Sequence, residues 1–292
     1  MRGWLICNGS LNSKKFHETH HRYIEMAKSL GITLTVKTNS EVGILLSNQH
    51  IALVSINTLD FVLFLDKDVL LAKQLEACGL PVFNSSQSIE ACDNKGLMHH
   101  LLALKGIKQP KTLIAPLIFD TESPFPKHFL NYVEETLHFP VVVKKSYGSF
   151  GMGVYLIHDR QALEDISERL KLEPHIYQQY IKESHGKDMR IHVVGDKVVA
   201  SMMRKSATDF RANVTNGGEM LIVDVPERFK TSAIAASVAL GLDFSGVDLL
   251  FGANDEPIIC EVNSNAHIEN IFKATDIDVS ETILKHIIEK LT

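Results

Sequence analysis

The chain has 292 residues, of which 45% are hydrophobic and 22% charged, and its formal net charge is −5. That composition belongs to a globular protein with room for one large domain or a few small ones sharing a core. The mildly acidic balance speaks against a nucleic-acid surface, so any bound anion must be held by a few placed cations.

Cys7, Cys78, Cys92 and Cys260 are far apart and form no CxxC pair, the pattern of buried free thiols in a reducing compartment. No apolar run reaches the ~18 residues that a membrane helix needs. The start, MRGWLICNGS, is too short in its apolar part for a signal peptide. The expectation is a cytoplasmic protein without membrane or nucleic-acid partners, for which a homo-oligomeric state is open.

The first ninety residues alternate strand and helix. An apolar strand over Gly3–Asn8 precedes a helix over His17–Leu30, closed by Gly31. Thr33–Thr38 alternates as a strand, and Phe61–Leu65 is continuously apolar like a buried parallel strand. Val69–Cys78 reads as a helix stopped by Gly79, and Leu80–Phe83 as a short strand. Such repetition builds a small open α/β sheet.

Asn84–Asp93, rich in Ser, Gln and Asn, marks a boundary, and a helix follows over Asn94–Leu104. Pro110, Pro116, Pro124 and Pro126 punctuate a loop-rich stretch before a helix at Lys127–Leu137. From Pro140 the strands come as hairpins, over Val141–Lys145, Val154–Ile157, Ile176–Ile181, Met189–Val194, Val198–Met203, Val247–Phe251 and Pro257–Asn263. Helices over Arg160–Leu172, Glu227–Leu240 and Val279–Leu291 accompany them. This part is α+β with antiparallel sheet.

Four segments carry chemistry. In PVVVKKSYGSFGMGV an apolar strand ends in Lys144 and Lys145, and Gly148, Gly151 and Gly153 follow in a loop that leads to another strand. Glycines let backbone N–H groups turn toward an anion, and a lysine at the loop's base adds charge; a plain hairpin is the alternative. Tyr177–Ile181 and then Gly186–Arg190 carry Asp188 and Arg190 into a strand, as a ribose contact or as a surface ion pair. Arg204, Arg211, Asn213, Gly217 and Gly218 form a polar segment suited to an anion or simply to solvent. Finally, Asp248, Glu261 and Asn263 sit inside two apolar strands joined by a short turn. Carboxylates in such runs must be paired, hydrogen-bonded or metal-bound, and hard oxygen ligands suit Mg²⁺.

If Asn254-Asp255 is a two-residue turn, Asp248 falls opposite Glu261, with Asn263 on the same face. If Gly195-Asp196 is a two-residue turn, Arg190 and Arg204 fall on opposite faces unless a bulge intervenes. Strand alternation sends Lys144 and Lys145 to different faces.

His17-Glu-Thr-His-His21 matches the HExxH zinc signature. Its neighbours Lys14, Lys15 and Arg22 mark a solvated helix face, and no third ligand follows beyond Glu41. His99, His100 and His267 read as structural or surface residues.

Together the phrases PVVVKKSYGSFGMGV, YQQYIKESHGKDMRIHVVGDKVVA, DFRANVTNGG and GVDLL with CEVNSNAHIENI resemble the ATP-grasp superfamily, and within it the RimK-type α-L-glutamate ligases. The resemblance runs from about Lys95 to the C-terminus. It implies an α/β domain over residues 1–92, a small central lid over 93–175 and an antiparallel-sheet domain over 176–292, with ATP between the last two. It implies an ATP-dependent ligase joining a carboxylate to an amine through an acyl-phosphate, with Mg²⁺ as cofactor and Mn²⁺ able to replace it.

By position, Lys95 and Lys144 resemble the phosphate-contacting lysines, and the loop Ser146, Gly148, Gly151, Gly153 the flap over the phosphates. Gln178, Gln179, Tyr180 and Ile181 resemble the adenine linker, and Asp188 the ribose-binding acid. Arg204 resembles the catalytic arginine that steadies the acyl-phosphate. Arg211 and Asn213 resemble loop residues near the phosphates, and Asp248, Glu261 and Asn263 the magnesium ligands. Gln179 stands where many relatives carry Glu. Ser264–His267 departs from the usual small residue, Ser and Pro-Gly, in the loop bordering the acceptor. A LysX-like ligase acting on a biosynthetic amine, or a non-catalytic nucleotide-binding module, are the other readings.

Overall fold

A computed structural model of the chain describes residues 1–54, 58–148, 151–212 and 218–292. The first layer holds β1 (Arg2–Cys7), α1 (Lys14–Ser29), β2 (Thr33–Thr38), a hairpin of β3 (Ile44–Ser47) and β4 (His50–Leu53), then β5 (Phe61–Leu65), α2 (Val69–Ala77) and β6 (Val82–Phe83). Its sheet has the order β2-β1-β5-β6, and all its pairs are parallel. Leu5 and Leu63 pack on one side against Tyr23 and Ala27 of α1, while Ile6 and Phe64 pack on the other against Leu71 and Leu75 of α2. Strands buried on both faces explain the unbroken apolar run of β5. Asp68 caps α2 by accepting from the Leu71 amide at 3.1 Å.

Next come α3 (Ser86–Asp93), α4 (Lys95–Leu104), β7 (Thr112–Ile114), α5 (Lys127–Leu137), β8 (Val141–Lys145), β9 (Val154–Ile157), α6 (Arg160–Leu170) and β10 (His175–Gln179). The Ser-rich boundary expected at Asn84–Asp93 is thus mostly helix. Ser85 caps it, and the buried hydroxyls of Ser86 and Ser88 donate to Glu76 Oε2 and Gly241 O, so polarity there is satisfied rather than solvated. The central sheet runs β7-β10-β8-β9. Val141 and Val143 face α5 and α6 in the core, whereas Val142 and Lys144 face a cleft. Strand β10 pairs with both β7 and β8 in this sheet, and Tyr180 follows its end.

The last part holds β11 (Lys187–Val194), β12 (Lys197–Lys205), β13 (Glu219–Leu221), α7 (Glu227–Ala239), β14 (Phe244–Phe251), β15 (Pro257–Asn263), α8 (Ile268–Thr275) and α9 (Val279–Leu291). The antiparallel sheet runs β13-β12-β11-β14-β15. Its inner face, Met189, Ile191, Val193, Val247 and Leu249, packs on Phe229, Ala233 and Ala236 of α7 and on Met98 and Leu102 of α4. Each fully buried side chain of this size contributes roughly 1.5–3 kcal/mol. The opposite face looks into the cleft.

Two bulges place the charges on that face. Gly195-Asp196 is the expected two-residue turn, but Val193 pairs with Val198 while His192 pairs with Ala200, leaving Val199 as the extra residue. The shift sets Asp188 opposite Arg204 and restores Arg190 to the same face. In the other hairpin Asp248 does lie opposite Glu261, by a different route from the expected one. The turn is one residue longer: Phe251 pairs with Pro257, and the Gly252 amide donates to Glu256 O at 2.8 Å. Cys260 then bulges out and returns Asp248 and Glu261 to register. Beside them, Gly246 has no room for a side chain, since a Cβ there would sit 2.3 Å from that of Ala266.

Candidate active site

The cleft, of about 390 Å³, is walled by the central sheet, the antiparallel sheet and the strand ends of the first layer. Across the antiparallel sheet, Met202, Arg190, Asp248 and Glu261 form one row. Ala200, His192, Gly246 and Asn263 form the row beside it, and Arg204 with Asp188 lies on the other side.

The carboxylates and cations of this face neutralise one another. Arg204 donates to both oxygens of Asp188, each at 2.7 Å, and its Nη2 lies 3.1 Å from Asp248 Oδ1. Arg190 also grips Asp248 through two nitrogens, Nη2 at 2.7 Å. Burial opposes the charge on Asp248, but Arg190 and Arg204 together outweigh it and hold the carboxyl well below the usual carboxylate range. Glu261, open to the cleft, pairs with Lys95 at 3.2 Å, which keeps it ionised against its own desolvation. Asn263 donates from Nδ2 to Gly246 O at 3.3 Å, leaving its amide oxygen as an acceptor. Two carboxylates and one amide oxygen fit Mg²⁺ completed by phosphate oxygens. They are too few for a closed protein cage, and among the described residues no three His, Cys, Asp or Glu side chains converge as one.

Facing this row, Lys144 points into the cleft with Nζ 3.6 Å from Cys260 Sγ, whereas Lys145 turns away to Glu173 at 2.7 Å. Lys95 opens α4, whose first turn is capped by Asn94, and it donates to Gly148 O at 3.1 Å. Arg211 reaches Gly151 O at 2.6 Å. The described part of the glycine loop is therefore tied by carbonyls to two cations. Gly148, Gly151 and Met152 line the cleft, but Ser146 and Gly153 do not. Ser146 is buried and exchanges backbone hydrogen bonds with Lys95 and Pro174, and Gly153, at φ +75°, lies where a Cβ would strike Lys145. Asn213 lies outside the described residues, as do Ser149 and Phe150.

Gln178, Gln179, Tyr180 and Ile181 line the cleft at the end of β10. The Gln178 side chain turns inward, donating to His99 Nε2 at 2.8 Å and Thr112 Oγ1 at 2.9 Å. Burial, and then Lys144, push His99 down to about 4, so it is neutral and accepts at Nε2. This histidine is structural, as expected, and it braces the linker.

At the other end the cleft meets residues that the sequence reading did not single out as site residues. Lys15 and Phe16 of α1, Asn8 and Asp66 beyond β1 and β5, and His267 before α8 all line it. The His267 ring lies 4.9 Å from that of Phe16. The one signal that could have found Asn8 and Asp66 is their place after the C-terminal ends of parallel strands, where ligands bind open α/β sheets. The HExxH residues His17 and His21 are exposed, and Glu18 lies near Lys14 and Lys273 instead. Among the described residues no helix is long and apolar enough to cross a membrane.

The RimK-like ATP-grasp domain model matches residues 92–287. The chain is 37% identical over 218 residues to a probable α-L-glutamate ligase of Enterobacter sp., across 74% of this chain and 70% of that one. It is 36% identical over 221 residues to human beta-citrylglutamate synthase B, across 75% of this chain but only 55% of the longer human protein. In fold it is similar to the D-alanine–D-alanine ligase of Bacillus anthracis solved with ATP, with a TM-score of 0.72 at 19% identity over 100% of this chain and 97% of that one. The cleft is faced by two lysines, a glycine loop and the Asp–Glu–Asn set, and with this wide a match the chain belongs to the RimK-like ATP-grasp family and is an ATP-dependent carboxylate–amine ligase.

Proposed function

We propose that the ligase acts on an acidic amino acid such as glutamate, with ATP lying between the central and antiparallel sheets. The observation that supports the substrate class is the basic side chain of Lys15 at the far end of the cleft, beside His267 and the Arg190–Asp248 pair. Burial lowers the Lys15 ammonium, and Arg190 and Lys273 lower it further; burial, then Lys15 and Arg190, hold His267 down at about 4. A substrate carboxylate placed beside Lys15 favours its charged ammonium, and the protonated form of His267 as well. The names of the relatives, a glutamate ligase and a citrylglutamate synthase, agree with an acid there.

In this reading Lys95 and Lys144 hold phosphate oxygens, with Arg211 steadying the glycine loop. The backbone of Gln178–Ile181 meets the adenine. Asp188 holds Arg204 and turns its remaining lone pairs to the ribose. Asp248, Glu261 and Asn263 would hold Mg²⁺, which supplies positive charge to the transferring phosphoryl group. The substrate carboxylate attacks the γ-phosphorus and ADP leaves. Arg204 then steadies the acyl-phosphate while an amine displaces phosphate.

The test is ADP release with glutamate, aspartate, N-acetylaspartate and citrate beside glycine and alanine. Acidic substrates should be required, and Lys15→Ala should raise their KM about 10-fold, the order expected for one charged hydrogen bond. Equal release with neutral and acidic substrates would overturn the reading.

A further inference from the structure

The first sheet carries a feature that the ATP chemistry does not use. Its order β2-β1-β5-β6 reverses direction between β1 and β5, since the chain steps to one side of β1 to make β2 and to the other to make β5. Helices α1 and α2 accordingly cover opposite faces. Such a switch point opens a crevice outside the carboxyl ends of the two strands, the preferred ligand position in open α/β sheets. The residues there are Asn8, after β1, and Asp66, after β5, and both line the cleft.

Asp66 is 6% exposed. Asn8 Nδ2 lies 3.2 and 3.3 Å from its two oxygens, and the Lys67 amide donates to Oδ1 at 2.7 Å. A carboxylate offers about four acceptor positions, so it retains capacity toward the cleft. Among the described residues no cationic side chain lies within ion-pair distance of it; Lys67 turns instead to Asp93 at 2.6 Å. The site is tied to the metal row, because Asn265, two residues beyond Asn263, donates from Nδ2 to Leu65 O at 2.6 Å. The carboxylates elsewhere in the cleft, Asp188, Asp248 and Glu261, are already engaged by Arg204, Arg190 and Lys95.

We propose that Asp66, held by Asn8, binds the ammonium group of the amine substrate and takes one of its protons before the nitrogen attacks, an assignment that rests on the acidic amino-acid ligase reading of the cleft. The ammonium loses a proton to Asp66, and the freed nitrogen lone pair forms a bond to the acyl carbon. The bond from that carbon to the phosphate oxygen breaks, phosphate leaves with the second nitrogen proton, and Asp66 returns its proton to solvent. Burial raises the Asp66 carboxyl above its ordinary range, against the Lys67 amide and Asn8, and Asp68 and Asp93 add to the rise. The other titratable group facing it is the Cys7 thiol, from β1.

The experiment compares two amines in the wild-type protein and in Asp66→Asn, using whichever acid of the panel above releases most ADP. L-Glutamate presents a protonated amine at neutral pH; hydroxylamine is uncharged and needs no base. Asp66→Asn should form the hydroxamate within about 2-fold of the wild-type rate, and ligate L-glutamate about 100-fold or more slowly, the low end of what general bases contribute. Asn8→Ala should lower L-glutamate ligation in the same sense, by less. The hydroxamate reaction also reports that the variant is folded and activates the acid. Equal rates of Asp66→Asn and wild type with L-glutamate overturn the proposal, as does equal loss with both amines, which would mean a role in acid activation. A wild-type protein that makes hydroxamate from neutral acids as readily as from acidic ones overturns the underlying substrate reading instead.

Discussion

Two of the cleft's walls, the antiparallel sheet and the parallel one, handle charge in opposite ways. On the antiparallel wall, Asp188, Arg204, Asp248 and Arg190 form a chain of ion pairs that is almost wholly buried, every carboxylate meeting a guanidinium. On the parallel wall, among the described residues, Asp66 accepts from an amide side chain and a backbone N–H and meets no cationic side chain, while burial disfavours charge on Lys15 and His267. In the proposed reading the first wall serves what every turnover shares, phosphoryl transfer and a charged intermediate. In the same reading a substrate's own ammonium and carboxylate groups meet the second, at Asp66 and Lys15.

The sharpest way to break that contrast is Arg204→Ala. It strands Asp188 and half of Asp248 in a desolvated site, so we expect about 3–5 kcal/mol of lost stability and a ligation rate about 10³-fold lower, read from urea unfolding and steady-state kinetics. A double variant with Asp188→Asn should recover part of the stability, because the two losses share one interaction. Full activity in Arg204→Ala would remove it from the site.

Glu261→Gln is the next probe. Glu261 is the one acid of the row both paired with a lysine and open to the cleft. We expect the magnesium concentration for half-maximal activity to rise about 10–100-fold, with Asp248→Asn behaving alike but losing stability as well, since its guanidinium partners stay buried. An unchanged magnesium dependence in both would place the metal elsewhere.

The smallest effects separate neighbours in one strand. Lys144→Ala should raise the KM for ATP about 10–100-fold, as loss of a charged hydrogen bond implies. Lys145→Ala should stay within about 2-fold, because its pairing with Glu173 is largely solvated. Similar losses in the two would contradict the alternation that turns only Lys144 into the cleft.

Much of the candidate site was legible as sequence because its signals are local. An apolar strand that ends in Lys144 and Lys145 and runs into glycines has few structural readings, and Asp248, Glu261 and Asn263 stand out against apolar neighbours. The pairing of Asp248 with Glu261 was foreseen through a turn one residue too short; the bulge at Cys260 compensates. The face shared by Arg190 and Arg204 was undecided without the bulge at Val199. Short elements such as β7, β13, the β3–β4 hairpin and α8 passed unnoticed, since pairing and packing, more than propensity, hold them.

By itself, then, the sequence determined the alternating first layer, the antiparallel second part, the glycine loop and the identity of the charged row, all of which follow from residue type and periods of two or 3.6. Only the tertiary structure decided that Asn8, Lys15, Asp66 and His267 meet in one crevice. Those residues come from opposite ends of the chain and are brought together by the core that α1, α8 and α9 share with both sheets. Hydrophobic periodicity says which face of an element is buried, and nothing in it says which other element will cover that face.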